Sequence, residues 1–352
     1  MTKTSCAFPF SHTNRSCGAG KGGRSPYQDP CQRAARSVPA YAKEKAAYRR
    51  PYEHHQKSES NLNMKHCKQN RPLAGEGKYR EGDKEMRRTD LVNALKAMGY
   101  KASETDTVKN GVVMEGIVIR DNERIAPVIY THKLIECAER DGKSVADVVL
   151  DIISLYEQNR HVEFNIEKLY DREFILSHVY VGIQKQSDEE LLKRNAELEG
   201  LELYLYIRLD AGEDHGFVKM KEGMLPMIDV TINELWEEAE QNTCDETELR
   251  SLSEVLGFPG DDEGMVPLYV LSNRSCMRGA AAIINKDVLK AFAEKHGVKR
   301  LIVLPSSIHE VLVLPDNGQF DLKEMNMMVT MVNAEQVLPE DQLIDRAYVM
   351  AV

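Results

Sequence analysis

With 352 residues, of which 42% are hydrophobic, the chain can bury one large core or two modest ones. Its net charge of −10 is unevenly divided: residues 1–88 carry 19 Lys+Arg against 8 Asp+Glu, and the remainder carries 27 against 48. So acidic a body is poorly suited to wrapping a phosphate backbone, which confines nucleic-acid binding to the basic segment.

Residues 1–85 are rich in Ser, Gly, Pro, Arg and Lys and show no sustained helical or strand period. They cannot bury enough apolar surface to offset their ordering entropy, which predicts a disordered tail. Gly18, Gly20 and Gly23 satisfy G-x-G-x-x-G on paper. No strand precedes them and no helix follows, so neither a nucleotide site nor a cofactor is expected. An ordered body begins near Thr89, placed to cap a helix with Leu91, Val92, Leu95 and Met98 on one face and Gly99 at its end. The stretch 101–109 is polar. Asn110-Gly111 opens an apolar run over 112–119, and Asp121-Asn122 turns the chain into a second run over 125–130, which reads as a hairpin.

Thr131 starts a short helix that ends at Gly142, and Ser144 with Asp147 has the pattern of a capping box. The helix it opens shows Val145, Val148, Val149, Ile152, Leu155 and Tyr156 at the 3.6-residue period. Asn165 and Asp171 read as caps of further short helices. Residues 201–209 alternate strictly, five leucines and isoleucines against Glu202, Tyr204, Tyr206 and Arg208, the pattern of a half-buried strand. A loop over 210–216 leads to a partner strand around 217–220. Thr231 and Glu234 cap a helix holding Leu235, Trp236 and Ala239, and a second helix is read through Leu249, Leu252, Val255 and Leu256 to Gly257.

The acidic stretch 260–264 marks an internal boundary, dividing the body into subdomains 86–259 and 265–352. Beyond it the order is a strand (267–271), a strand or extended run (280–284), a helix (287–296), two strands (301–304 and 311–314), a helix announced by Asp321 and Glu324, and a last strand (347–352). Hairpins mixed with helices predict an α+β fold, with mixed, largely antiparallel sheets and packed helices behind the tail.

The densest cluster of reactive side chains lies between the two strands at 301–314: Ser306, Ser307, His309 and Glu310, with Pro305 at the turn. Ser307, His309 and Glu310 supply a nucleophile, a base and a carboxylate, the components of a hydrolase. In an extended segment Ser307 and His309 share one face, but no G-x-S-x-G elbow occurs in the chain. The bland alternative has the serines forming the turn, with His309 and Glu310 bonding its backbone. Asn273, Arg274, Cys276 and Arg278 can line a pocket beside this turn if the flanking strands pair, and arginines on both sides favour the Cys276 thiolate. The binding candidates are therefore Asn273, Arg278, Ser306, Ser307, His309 and Glu310. Asp210, Glu213, Asp214 and His215 make an oxygen-rich cluster, but the calcium-loop pattern is absent and a solvated loop explains them as well. The seven cysteines contain no C-x-x-C pair, no run approaches the ~18 apolar residues of a membrane span, and the first thirty residues lack a secretory h-region. The expectation is a cytoplasmic protein without a membrane partner.

The body resembles an uncharacterised bacterial family of unknown function. The resemblance is carried by Asn110-Gly111 with 116–119, by 125–130, by Leu271-Ser272-Asn273, and by 279–283. It continues through Leu304-Pro305-Ser306-Ser307-Ile308-His309-Glu310 and 332–337, so that it spans roughly residues 90–350. It implies no activity, cofactor or catalytic residue. The reading that follows is a non-enzymatic binding or regulatory module, with a protein or small-molecule partner at the 305–310 turn. The alternatives are a hydrolase using Ser307, His309 and Glu310, and nucleic-acid binding through the tail.

Overall fold

The computed structural model describes residues 86–120, 126, 128–159, 165–211, 214–257 and 267–352. The tail 1–85, the Asp121-Asn122 turn and the boundary at 260–264 lie outside them.

The N-terminal part of the body builds one core. Helix α1 (Arg88–Ala97) precedes strands β1 (Ala102–Lys109), β2 (Val112–Ile119) and β3 (Val128–Tyr130), and helices α2 (His132–Asp141) and α3 (Val145–Asn159) follow. The strands form an antiparallel sheet in the order β1-β2-β3. Leu91 and Leu95 of α1, Ile117 and Ile119 of β2, Ile129 of β3 and Val148, Ile152 and Tyr156 of α3 close the core. Each such buried aliphatic chain contributes roughly 1.5–3 kcal/mol relative to exposure.

One expectation fails here, and a stretch given no element from sequence proves to be a strand. Arg87, not Thr89, occupies the N-cap, and the Thr89 hydroxyl instead donates to Glu104 at 2.8 Å. The polar stretch 101–109 is a full strand. Asn110 (φ 51) and Gly111 (φ 78) both adopt the left-handed conformation a two-residue hairpin turn requires, which locks β1 to β2 over eight residue pairs.

The rest of the chain builds two more sheets. After a 3-10 turn (Ile166–Tyr170) and α4 (Arg172–His178), strands β4 (Val179–Lys185), β5 (Lys193–Asn195), β6 (Leu201–Ala211) and β7 (Asp214–Lys219) form an antiparallel sheet around β6. Asn165 and Asp171 accept from backbone N–H groups at the starts of their helices, as capping residues should. Helix α5 (Ile232–Asp245) starts with the Thr231–Glu234 capping box. The third sheet has the order β12-β10-β11-β9-β8, from β8 (Thr247–Ser251), β9 (Tyr269–Asn273), β10 (Arg300–Leu304), β11 (Val311–Pro315) and β12 (Tyr348–Ala351). Helices α6 (Leu252–Leu256), α7 (Lys286–His296) and α8 (Leu322–Gln336) complete it.

One apolar cluster runs from Leu169 to Met350. It joins one face of the β6 sheet to one face of the β10 sheet, with α5 and α7 packed in. On the other face of the β10 sheet, Ile302, Leu304, Leu312 and Leu314 meet Met325, Val329 and Val332 of α8. The fold is α+β with largely antiparallel sheets. Among the described residues no helix is long and apolar enough to cross a membrane.

Three further readings are corrected. Leu249 lies on β8, because the Ser251–Glu254 capping box starts the helix only at Leu252. Residues Gly279–Ile284 form a 3-10 helix, not a strand, since a short apolar run carries no period that separates the two. Strand β6 is not half-buried: Glu202, Tyr204 and Tyr206 are as covered as the leucines opposite them. Tyr180, Leu191 and Phe217 cover its tyrosines.

Candidate functional site at the 305–310 turn

Strands β10 and β11 pair from Leu301↔Pro315 to Leu304↔Leu312, so residues 305–310 form the connection of a central hairpin. Its backbone is zipped to the chain at 341–344. Ile308 N–H donates to Asp341 O at 2.8 Å, Leu343 N–H to Ser306 O at 3.2 Å and Ile344 N–H to Pro305 O at 3.2 Å. On the other side Ala280 N–H reaches Ile308 O at 3.2 Å, and the Ser272 hydroxyl donates to His309 O at 2.7 Å. Gly279 makes this approach possible, because a Cβ there would lie 2.5 Å from Asn273 N and 2.8 Å from His309 O.

All six binding candidates are buried, and β9, paired with β11, brings Asn273 and Arg278 beside the turn. Ser307 Oγ accepts the His309 N–H at 3.0 Å. The imidazole lies elsewhere: Nδ1 accepts the Arg278 N–H at 3.3 Å, which places the ring proton on Nε2, 3.5 Å from Asp341 Oδ1. Lys109 Nζ sits 3.0 Å from that same oxygen. Burial pushes the Asp341 carboxyl up, but His309 and Lys109 outweigh it and hold the group well below the usual carboxylate range. Ser306 Oγ is buried and makes no hydrogen bond among the described residues. Glu310 is buried where β11 begins.

Arg278 ties this turn to a second polar region. Its backbone is left-handed (φ 52), and Nη1 donates to the Tyr204 hydroxyl at 2.6 Å while the guanidinium lies 5.0 Å from the Phe217 ring centre. Gly182 faces Tyr204 across the β4–β6 pair, and a Cβ there would meet the tyrosine hydroxyl at 2.7 Å. A cavity beside Arg278 is lined by Tyr180, Tyr206, Thr243, Glu246 and Asn273. Arg208 holds Glu246 through two bonds of 2.9 and 2.8 Å, and Tyr180 donates to the same carboxylate at 2.9 Å. Burial raises the Glu246 carboxyl, yet the Arg208 and Tyr180 bonds bring it below its ordinary value. Burial pushes the Tyr206 phenol strongly up, so it stays protonated.

Asn273 clamps its own loop, accepting from Met277 N–H at 3.2 Å and donating to Met277 O at 2.8 Å. Cys276 is a free thiol in left-handed backbone (φ 54), approached at 3.4 Å by Arg250. Arg274 turns instead to Asp245 O. The side chains of Asp210, Asp214 and His215, and all of Glu213, lie outside the described residues; the β6–β7 register sets Asp210 opposite His215. Among the described residues no group of three or more His, Cys, Asp or Glu could hold a metal ion.

Lys109, Asp341 and Tyr204 join the site without having been singled out from sequence. Each sits in a segment whose own pattern has a simpler reading, and only the tertiary fold brings them to His309 or Arg278. No curated protein and no solved structure matches the chain. A family model does match, over residues 84–351, and the chain accordingly belongs to DUF5688, a family of unknown function.

Proposed function

We propose that the protein is a non-enzymatic binding or regulatory module of the bacterial cytoplasm, with the 305–310 turn and Arg278 as its recognition centre. One observation carries this reading: the hydrogen bonds of Ser307 and His309 run past each other. Nucleophilic catalysis needs the base within reach of the hydroxyl and a third group orienting the base. Here Ser307 Oγ takes the His309 backbone N–H, and the imidazole faces the Arg278 amide and the Asp341 carboxylate. The cavity beside Arg278, lined by tyrosine, arginine and carboxylate groups, has room for about one water molecule, so it supports the reading by its chemistry and not by its size.

The test pairs turnover with retention. Full-length protein from its own host, examined by native mass spectrometry, is expected to carry a bound species that Arg278→Gln loses. Ester and peptide substrates are expected to show no turnover that depends on His309. Hydrolysis abolished by both Ser307→Ala and His309→Ala would overturn the reading in favour of the hydrolase.

A second reading concerns the basic segment alone, whose 19 Lys+Arg against 8 Asp+Glu suit a phosphate backbone. It predicts that full-length protein binds nucleic acid in a salt-sensitive way and that a chain starting at Met86 does not. Equal binding by the two would eliminate it.

A further inference from the structure

We propose that the tip of the β1–β2 hairpin is a displaceable cover over the His309–Asp341 pair, and that a ligand taking its place is cationic. The tip crosses from the N-terminal core to the turn with two residues. Lys109 brings its ammonium to Asp341 Oδ1, the oxygen His309 also faces. Asn110 is buried and divides its carboxamide across the seam: Nδ2 donates to Gln342 O at 2.5 Å, and Oδ1 accepts from Lys185 N–H at 2.9 Å. Lys133 of α2 faces Glu340 at 3.7 Å.

These contacts are polar, and the apolar cluster spanning 91–156 shares no member with those spanning 169–350. Two cores joined by a polar seam move relative to one another more readily than two halves of one core. The charge at the seam then selects the occupant. Asp341 is buried, and its cation comes from across the seam, so lifting the tip leaves a buried carboxylate without that partner. A neutral occupant does not cure this, whereas an ammonium or guanidinium group does. Glu340, buried next to Asp341, adds to the same preference. The ligand class rests on the binding reading above; the opening does not, and the two are measured in separate arms.

The Lys185 amide reports the opening directly, because its acceptor is Asn110 Oδ1. Hydrogen exchange of the full chain is followed by NMR at three amides. Leu192, bonded to Met220 O, reports the C-terminal core, and Thr131, bonded to Glu115 O, reports the N-terminal core. Lys109→Ala and the isosteric Asp341→Asn are each expected to speed Lys185 exchange roughly tenfold or more beyond any change at Leu192 and Thr131. No change at Lys185 in either variant, or equal acceleration of all three amides, would overturn the cover. In the second arm, n-propylammonium chloride is expected to speed Lys185 exchange in the native chain, because the added cation takes the place of Lys109 on Asp341 and the tip lifts. The same concentrations of sodium chloride or n-propanol should not, and Asp341→Asn should not respond. No response of the native chain to n-propylammonium would overturn the cationic class while leaving the turnover test of the binding reading untouched.

Discussion

Replacing Gly279 with alanine puts a methyl group where three elements meet. The added Cβ would lie 2.5 Å from Asn273 N and 2.8 Å from His309 O, and it would also overlap the Ser272 hydroxyl. Two of these neighbours are backbone atoms of β9 and the turn, so neither can swing aside. The third can move only by giving up its 2.7 Å bond to His309 O. Overpacking a well-filled core costs about 1–3 kcal/mol. A buried acceptor left without its donor adds about 1–3 kcal/mol. The sum, roughly 2–6 kcal/mol, is a large part of the ~5–15 kcal/mol that holds a domain together. At about 2–4 °C per kcal/mol for a body of this size, the midpoint of thermal unfolding should fall by roughly 4–24 °C. Urea titration and calorimetry measure both quantities. Gly297→Ala is the control: that glycine has φ +66 and open space around it, so only the left-handed backbone penalty of ~1–2 kcal/mol applies. A Gly279→Ala protein no less stable than Gly297→Ala would refute the account of the turn as rigidly locked to β9.

Two further outcomes follow from the same geometry. Tyr204→Phe removes the acceptor of a 2.6 Å bond from a buried guanidinium and should cost about 1.5–3 kcal/mol by denaturant unfolding, with Tyr170→Phe, an exposed ring, as a neutral comparison. Asp341→Asn should cost about 3 kcal/mol at pH 7, the lower end for a broken buried pair, because Lys109 keeps some exposure. The folded-state pKa of Asp341 is depressed, so its contribution is fully present above the unfolded carboxylate value of about 3.9 and fades as the pH falls towards the folded value. The stability gap between wild type and Asp341→Asn should therefore be flat from pH 7 to about pH 5 and close below about pH 4. A gap independent of pH would show that the carboxylate charge is not what holds the seam.

What the sequence reveals here is mostly local. The capping patterns at Ser144–Asp147, Thr231–Glu234, Asn165 and Asp171 act within three residues, and all are realised as hydrogen bonds. The hairpin around 305–310 is legible for the same reason, with two apolar runs bounded by proline and serine. Strand β1 is not legible, because its stability comes from the left-handed turn that follows and from its partner, while its exposed residues other than Val108 are polar. The site is half legible. Asn273, Arg278 and the turn residues stand out as chemistry, and the β9–β11 pairing brings them together. Asp341 and Lys109 could not be found this way, since the contacts that define their role join segments more than two hundred residues apart.

The strand β6 shows why burial, more than residue type, governs this site. A strict alternation of leucine with tyrosine, glutamate and arginine says only that the two faces differ. A wet outer face would have left Tyr204 a surface residue and Arg278 a solvated cation. Because Phe217 and Leu191 cover that face, the guanidinium must be met by aromatic rings and a phenol, and Gly182 must be small enough to let the phenol lie there. The same arginine donates its backbone N–H to His309 and thereby fixes the tautomer that faces Asp341. Polar groups on the outer face of one sheet are thus connected through a single left-handed residue to the hairpin turn of another. A perturbation at Tyr204 should accordingly be felt at His309 through Arg278, without crossing any exposed surface. The imidazole nitrogen chemical shifts of His309, followed by NMR, should move in Tyr204→Phe, and unchanged shifts would show that Arg278 holds its backbone independently of its side chain.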